Sequence, residues 1–395
     1  MAQGSFEVIL SHRIQLQPRN KHIIAFNKAC GTARYTWNWA LDRWKIEYEA
    51  GSKPTANKLK RQWNAEKPAW VYESPKDANQ QVFTFLGKAF SRFFKKQSRY
   101  PKFKKKGQHD SFYISNDKFS VDGRYVKLPK IGSVKMTEEL RFSGKIMSAT
   151  INREADRWFI SINVDTEHES RSGKETIGVD LGVKDAVVLS DGTRLTGPKP
   201  LKKALHTIKK RQRKHSRKIK GSSNRRRSAI CLARLHRRIK NQRKDFLHKV
   251  TSNIVSRAKT VVIEDLNVRG MLKNHKLARA ISDIGFYEFR RQLEYKCQMN
   301  NVNLVLADRW FPSTKLCRHC GCLRDMPLSE RTFNCDCGHV EDRDVNAAQN
   351  LRTLGLRGTY ACGQKGSGHR LLVGDETSLD EAGTRSLATS ISCHI

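Results

Sequence analysis

The sequence predicts a mixed α+β chain of several domains: an N-terminal β-barrel interrupted by a helical bundle, then an α/β domain interrupted by a cysteine-held ribbon. Three observations predict it. Segments at the start and end of residues 1–171 alternate apolar and polar side chains like strands, whereas the stretch between them repeats at three and four. From Thr176, short strands give way to alternating helices and strands. Five of the ten cysteines then crowd between Cys317 and Cys337.

Taking the elements in order, SFEVILSHRIQLQP alternates as a strand, and KHIIAFNKACGTARYTWNWALDRWKIEYEAG has the spacing of an amphipathic helix. A second helix runs from about Asp77, with Phe83, Leu86, Phe90, Phe93 and Phe94 on one face. The loop RYPKFKKKGQHDSF follows, where Lys102, Lys104, Lys105 and Lys106 stand among Tyr100, Phe103, Phe112 and Tyr113. Cations interleaved with rings suit nucleic acid, since cations hold phosphate while rings stack on bases. The competing reading is a solvated loop with aromatic anchors. RYVKLPKIGSVKM, KIMSATINREA and RWFISINVD read as antiparallel strands that join the first in a barrel.

A new unit begins near Ser172. TIGVDLGV, AVVLSDG and RLTG read as three antiparallel strands. A very long helical stretch follows, then the strand TVVIEDL, the amphipathic helix ISDIGFYEFRRQLEYKCQMN, the strand NVNLVLAD, the cysteine cluster and a last helix, DVNAAQNLRTLG. This order is the RNase H-like pattern, a mixed sheet flanked by helices. In it, Asp180, Glu264 and Asp344 fall at two strand ends and one helix start and can converge as a carboxylate cage for Mg²⁺. Asp265 competes with Glu264 but faces the other side of the strand. Asp342, two residues before Asp344, is its rival.

Cys317 and Cys320 form C-x2-C before Gly321, and Cys335 and Cys337 form C-x-C before Gly338. Two such pairs supply four thiolates to one structural Zn²⁺, which explains the clustering better than disulfides do. Cys322 is an extra thiol, and His319 or His339 could replace one cysteine.

Charge defines the partner class. The net charge is +38, from 76 Lys and Arg against 38 Asp and Glu, far beyond what solubility needs. Residues 201–250 hold 20 Lys and Arg against one acid, Asp245. Leu232, Leu235, Ile239 and Phe246 keep helical spacing there, so a helical hairpin with a basic outer face is expected. Arg211, Arg213, Lys214, Arg217, Arg225, Arg226 and Arg227 are its candidate phosphate contacts. No window approaches the ~18 apolar residues of a membrane span, and the N-terminus has no signal-peptide core, which places the protein inside the cell. No Walker loop, Ser/His/Asp arrangement or H-E-x-x-H is present.

TIGVDLG, VVIEDL and a cysteine knuckle leading into DRDVNAAQN, preceded by ACGTARYTWNWAL and RYPKFKKKGQHDSF, resemble TnpB, the OrfB-type family of bacterial and archaeal transposons. That family is a relative of the type V CRISPR effectors. The resemblance implies a transposon-encoded, RNA-guided DNA endonuclease with one RuvC-like site, acting in the prokaryotic cytoplasm on nucleoid DNA. Its partners would be a transposon-derived guide RNA and a target duplex read beside a short adjacent motif. By motif, Asp180, Glu264 and Asp344 would be the metal-binding acids, and in-line displacement would use two Mg²⁺ ions between them. Only the resemblance ranks Asp342 below Asp344, since the family's matching acid directly precedes x-N-A. Gln80 and Gln81, on a helix beside basic residues, are candidate base readers. The C-x-C knuckle departs from the commoner C-x2-C.

The implied domains are a barrel at 1–17 and 120–171, helical recognition at 18–119, the nuclease at 172–316 and 338–355, the ribbon at 317–337 and a disordered tail at 356–395. Three rivals stand beside the endonuclease. They are a transposase or recombinase, a compact type V effector, and a zinc-containing nucleic-acid-binding regulator without catalysis.

Overall fold

Alternation over Ser5–Gln17 makes strand β1, which stops at Pro18, a residue with no amide to continue a ladder. The structure is a computed structural model that describes residues 5–327, 330–357 and 372–373. The expected disordered tail therefore lies outside the described residues, apart from 356–357 and Leu372–Val373. The latter pair runs parallel to β1. Residues 7–167 form one compact unit, and residues 168–357 belong to the other.

In the first unit, β1 is followed by helices α1 (Asn20–Glu49), α2 (Ala56–Glu66) and α3 (Asp77–Phe94). Strands β2 (Ser111–Ser115), β3 (Ser120–Asp122), β4 (Tyr125–Leu128), β5 (Gly132–Met136), β6 (Lys145–Glu154) and β7 (Arg157–Glu169) come next. They form one sheet in the order β2-β6-β7-β1-β5-β4-β3. Trp158, Ile160, Ile162 and Val164 alternate with outward residues along β7 and pack with Ile14, Val126, Val134 and Ile151 into one core. Among the described residues β2 and β3 remain unpaired with each other, so the expected barrel is an open, curled sheet. Strand β2 lies within the stretch expected to be the helical insertion.

Helix α1 serves two cores. Its first turns bury Phe26, Ala29 and Cys30 on the sheet, and its later turns bury Trp37, Leu41 and Trp44 against α2 and α3. Trp63, Phe83, Leu86 and Phe90 complete that second core, with Trp44 stacked on Phe90 at 3.9 Å. Each such burial stabilises by roughly 1.5–3 kcal/mol. Of the predicted aromatic face of α3, Phe94 turns outward and is 60% exposed.

The second unit contains β8 (Glu175–Asp180), β9 (Val187–Leu189), β10 (Arg194–Leu195), α4 (Pro200–Ser216), α5 (Ser223–Arg257), β11 (Ala258–Glu264), α6 (Val268–Met271), α7 (Ala278–Ile284), α8 (Phe286–Met299) and β12 (Asn303–Ala307). The hairpin β13 (Thr332–Asn334) and β14 (Val340–Asp342) runs straight into α9 (Arg343–Leu356). Sheet order is β10-β9-β8-β11-β12, antiparallel through β8 and parallel from β8 to β12. The helix expected over ISDIGFYEFRRQLEYKCQMN is two helices, because Gly285 takes φ +83°, a left-handed conformation that ends α7 before α8 starts. Among the described residues no helix is long and apolar enough to cross a membrane.

Candidate active site and metal centre

Sheet register brings the first two acids together. Val179 pairs with Ile263 across the parallel β8 and β11, so Asp180 and Glu264 leave the same carboxyl edge of neighbouring strands. Such strands lie ~4.8 Å apart. Helix α9 supplies the third acid by crossing β8 at Gly178. A Cβ there would sit 1.9 Å from Ala348 O and 2.5 Å from Arg352 N, so only glycine lets the helix backbone come this close. That crossing sets the first turn of α9, and with it Asp344, near Asp180.

Electrostatics register the convergence. Asp180 is buried, and its carboxyl is pushed up to about 8, first by burial and then by the fields of Glu264 and Asp344, with Arg343 opposing. Glu264 Oε1 accepts from Ser313 Oγ at 2.5 Å. Asp344 accepts from Arg343 Nε at 3.3 Å and lies 3.8 Å from Arg331.

The rivals are engaged elsewhere. Asp342 caps α9, accepting from the amides of Asp344 (2.9 Å) and Val345 (3.3 Å), and pairs with Arg194 at 2.7 Å. Those contacts hold its carboxyl below the usual range against the burial that opposes them. Asp265 pairs with Arg290 at 2.5 Å and Arg309 at 3.5 Å.

The four cysteines form a second group. Among the described residues, the sulfurs of Cys317, Cys320, Cys335 and Cys337 lie mutually within 4.8 Å. Cys317 and Cys337 are 3.8 Å apart, and Cys320 and Cys335 3.5 Å. A tetrahedron with Zn–S bonds of ~2.3 Å has edges of ~3.8 Å, so the quartet fits a zinc ribbon. Cys322 stands outside it. His339 faces Glu341 at 3.4 Å and stacks 6.2 Å from His319. Gly321 and Gly338 take φ +76° and +84°, which lets each knuckle turn.

The basic segments divide by what their atoms do. Trp37 Nε1 donates to Lys102 O at 3.0 Å, and Asn38 exchanges hydrogen bonds with the Lys104 backbone, which pins the loop to α1. Lys102, Lys105 and Lys106 face solvent, while Lys104 covers the Trp37 ring at 4.2 Å. Of the loop's aromatics, Phe112 is a core residue of β2 and Tyr100 rests on Phe90 and Phe93 at 5.5 and 5.3 Å, so these two are anchors; Phe103 is exposed. Gln80 donates to Asn64 and Asn79.

In the second unit, α4 and α5 form the expected hairpin. Buried Asp283 accepts from the amides of Leu201 and Lys202 at the start of α4. Arg225 binds the carbonyls of His215 and Lys218 at the hairpin turn, and Arg211 that of Cys231. Arg213, Lys214, Arg217, Arg226 and Arg227 are exposed. The sequence reading missed Ser313, whose hydroxyl meets Glu264, and Asn350 on α9, which donates to the Ser313 carbonyl at 2.8 Å; asparagines four apart on that helix, Asn346 and Asn350, were the available signal.

Three family descriptions match the chain: "Probable transposase" (OrfB_IS605) over residues 159–275, "Cas12f1-like, TNB domain" over 286–351 and "Helix-turn-helix domain" over 8–53. The last spans β1 and the single uninterrupted helix α1. A Streptomyces pristinaespiralis protein named "Putative RNA-guided DNA endonuclease" is 37% identical, over 90% of this chain and 92% of its own. "Putative RNA-guided DNA endonuclease InsQ" of Escherichia coli K12 is 32% identical over 94% of this chain and 98% of its own. Among solved structures, one titled "Cryo-EM structure of the Cas12f1-sgRNA-target DNA complex" shares the fold with TM-score 0.57 at 13% identity, covering 88% of this chain and 99% of that one.

Proposed function

Because the chain belongs to the TnpB (OrfB-type) family, we propose that it is an RNA-guided DNA endonuclease, cutting target DNA by metal-dependent hydrolysis at one RuvC-like site. The observation that carries the reading is Asp180, buried beside two further acids that raise its proton affinity. Burying like charges together is costly unless a proton or a cation joins them, and an all-oxygen donor set suits Mg²⁺. Asp180, Glu264 and Asp344 would hold two such ions, which supply charge stabilisation at the attacking and leaving oxygens of an in-line displacement.

The chain's own part is to place those oxygens. The register of β8 with β11 positions Asp180 and Glu264, and the Gly178 crossing positions Asp344. Cys317, Cys320, Cys335 and Cys337 would hold one structural Zn²⁺ next to the start of α9. Guide–target pairing would supply sequence specificity, while the Lys102–Lys106 loop and the exposed cations of the hairpin bind backbone phosphate.

The test supplies purified protein with its copurifying RNA and a matched duplex. Wild type cuts only with RNA and Mg²⁺, and Asp180→Ala still binds RNA but does not cut. Cleavage by Asp180→Ala overturns the site, and cutting without RNA returns the transposase reading.

A further inference from the structure

A buried hydroxyl sits against the second acid. Ser313 is 3% exposed, and its Oγ donates to Glu264 Oε1 at 2.5 Å. A hydroxyl that donates to a carboxylate makes a charge-assisted bond. The carbonyl of the same serine accepts from Asn350 Nδ2 at 2.8 Å, and that amide also reaches Leu316 O at 2.7 Å. Asn346, one turn earlier, donates to Leu316 O at 2.8 Å. Both asparagines are buried and stand on α9, the helix whose first turn carries Asp344. The segment they grip is closed on itself by Ser313 N to Phe311 O and Leu316 N to Pro312 O. One helix thus carries the third acid directly and reaches the second through a short chain of hydrogen bonds.

We propose that Ser313 is a positioning residue: its hydroxyl occupies Oε1 of Glu264, leaves Oε2 for the metal, and ties that carboxylate to the helix bearing Asp344. The inference rests on the nuclease reading. Glu264 lies half-buried at a strand end, and a glutamate without an orienting donor keeps rotamer freedom that metal binding must remove. Partners that orient metal ligands typically matter by about 10–100-fold in metal affinity or activity.

The experiment uses the full chain with its copurified RNA. It compares wild type, Ser313→Ala, Ser313→Thr and Asp180→Ala in two readouts: Mn²⁺ binding by titration calorimetry without target, and the Mg²⁺ midpoint of cleavage. Ser313→Ala should weaken Mn²⁺ binding and raise the Mg²⁺ midpoint by about tenfold or more, with target binding unchanged. Ser313→Thr keeps the hydroxyl and should recover both. Wild-type metal affinity and midpoint in Ser313→Ala overturn the proposal, whatever happens to its melting temperature. Should the alanine variant not fold, Ser313→Cys keeps the volume, removes the strong donor and is judged on the same readouts. Cleavage by Asp180→Ala, or no Mn²⁺ binding by wild type, sinks the nuclease reading and this inference with it. An inert Ser313→Ala beside a dead Asp180→Ala sinks this inference alone.

Discussion

At the scale of single residues, Asp180 ties stability to pH. Its carboxyl titrates near 3.8 when free and is pushed up to about 8 in the fold by burial and by Glu264 and Asp344. The folded state therefore holds the proton more tightly than the unfolded chain. Stability linked to that proton is fully present below about pH 4 and is lost as pH rises through 8, at up to ~1.4 kcal/mol per pH unit. Asp180→Asn removes the ionisation, so in metal-free protein it should raise the melting temperature, and the gain should grow between pH 5 and pH 8. Added Mg²⁺ should stabilise wild type more than the variant. A melting difference identical at both pH values would show that the charge on Asp180 is already compensated. The sequence marked this aspartate through its strand and flanking glycines. It did not mark Ser313, because the hydroxyl reaches Glu264 across 49 positions and lies in no local pattern.

At the scale of elements, α9 is the piece whose placement decides the site, and two features hold it. One is the crossing at Gly178. Gly178→Ala would put its Cβ 1.9 Å from Ala348 O, backbone that cannot swing aside, so α9 must shift. The expected cost is about 1–3 kcal/mol or more in urea unfolding, together with a loss of cleavage larger than the loss of RNA binding. Stability within ~0.5 kcal/mol of wild type would mean that the helix slides freely over the strand. The other feature is the ribbon, since β14 ends at Asp342 and α9 begins at Arg343. Cys335→Ser should lose the bound zinc by elemental analysis and lower the melting temperature, while Cys322→Ser, outside the quartet, retains both. Equal zinc loss in the two variants would count against the Cys317–Cys320–Cys335–Cys337 set. Strands and helices of this unit were legible because hydrophobic period and turn residues agree there. Gly285 misled because an apolar pattern runs on through a residue whose φ ends the helix. Phe112 misled because a basic loop passes into a strand with no change in composition.

At the scale of the whole molecule, a net charge of +38 points to a polyanionic partner but not to the cations that would meet it. A charge count cannot distinguish a guanidinium bound to helix carbonyls from one facing solvent. The structure makes that distinction: half-buried Arg225 staples the α4–α5 turn through two carbonyls, whereas Arg213, Lys214 and Arg217 are exposed on the hairpin. Each phosphate neutralised releases counterions, so the slope of log K against log salt falls by roughly 0.9 per contact on duplex and 0.7 on single strands. Replacing Arg213, Lys214 and Arg217 together by alanine should flatten the slope for nucleic-acid binding by about 2 to 3 and leave the melting temperature nearly unchanged. Arg225→Ala should do the reverse, lowering the melting temperature through the loss of its bonds to the carbonyls of His215 and Lys218 and shifting the slope by less than about one unit. Filter binding across a salt series measures both. An unchanged slope in the triple variant would make the outer face of the hairpin a solvated surface and move the electrostatic contacts to the Lys102–Lys106 loop, where the same series on the lysine variants would then find them.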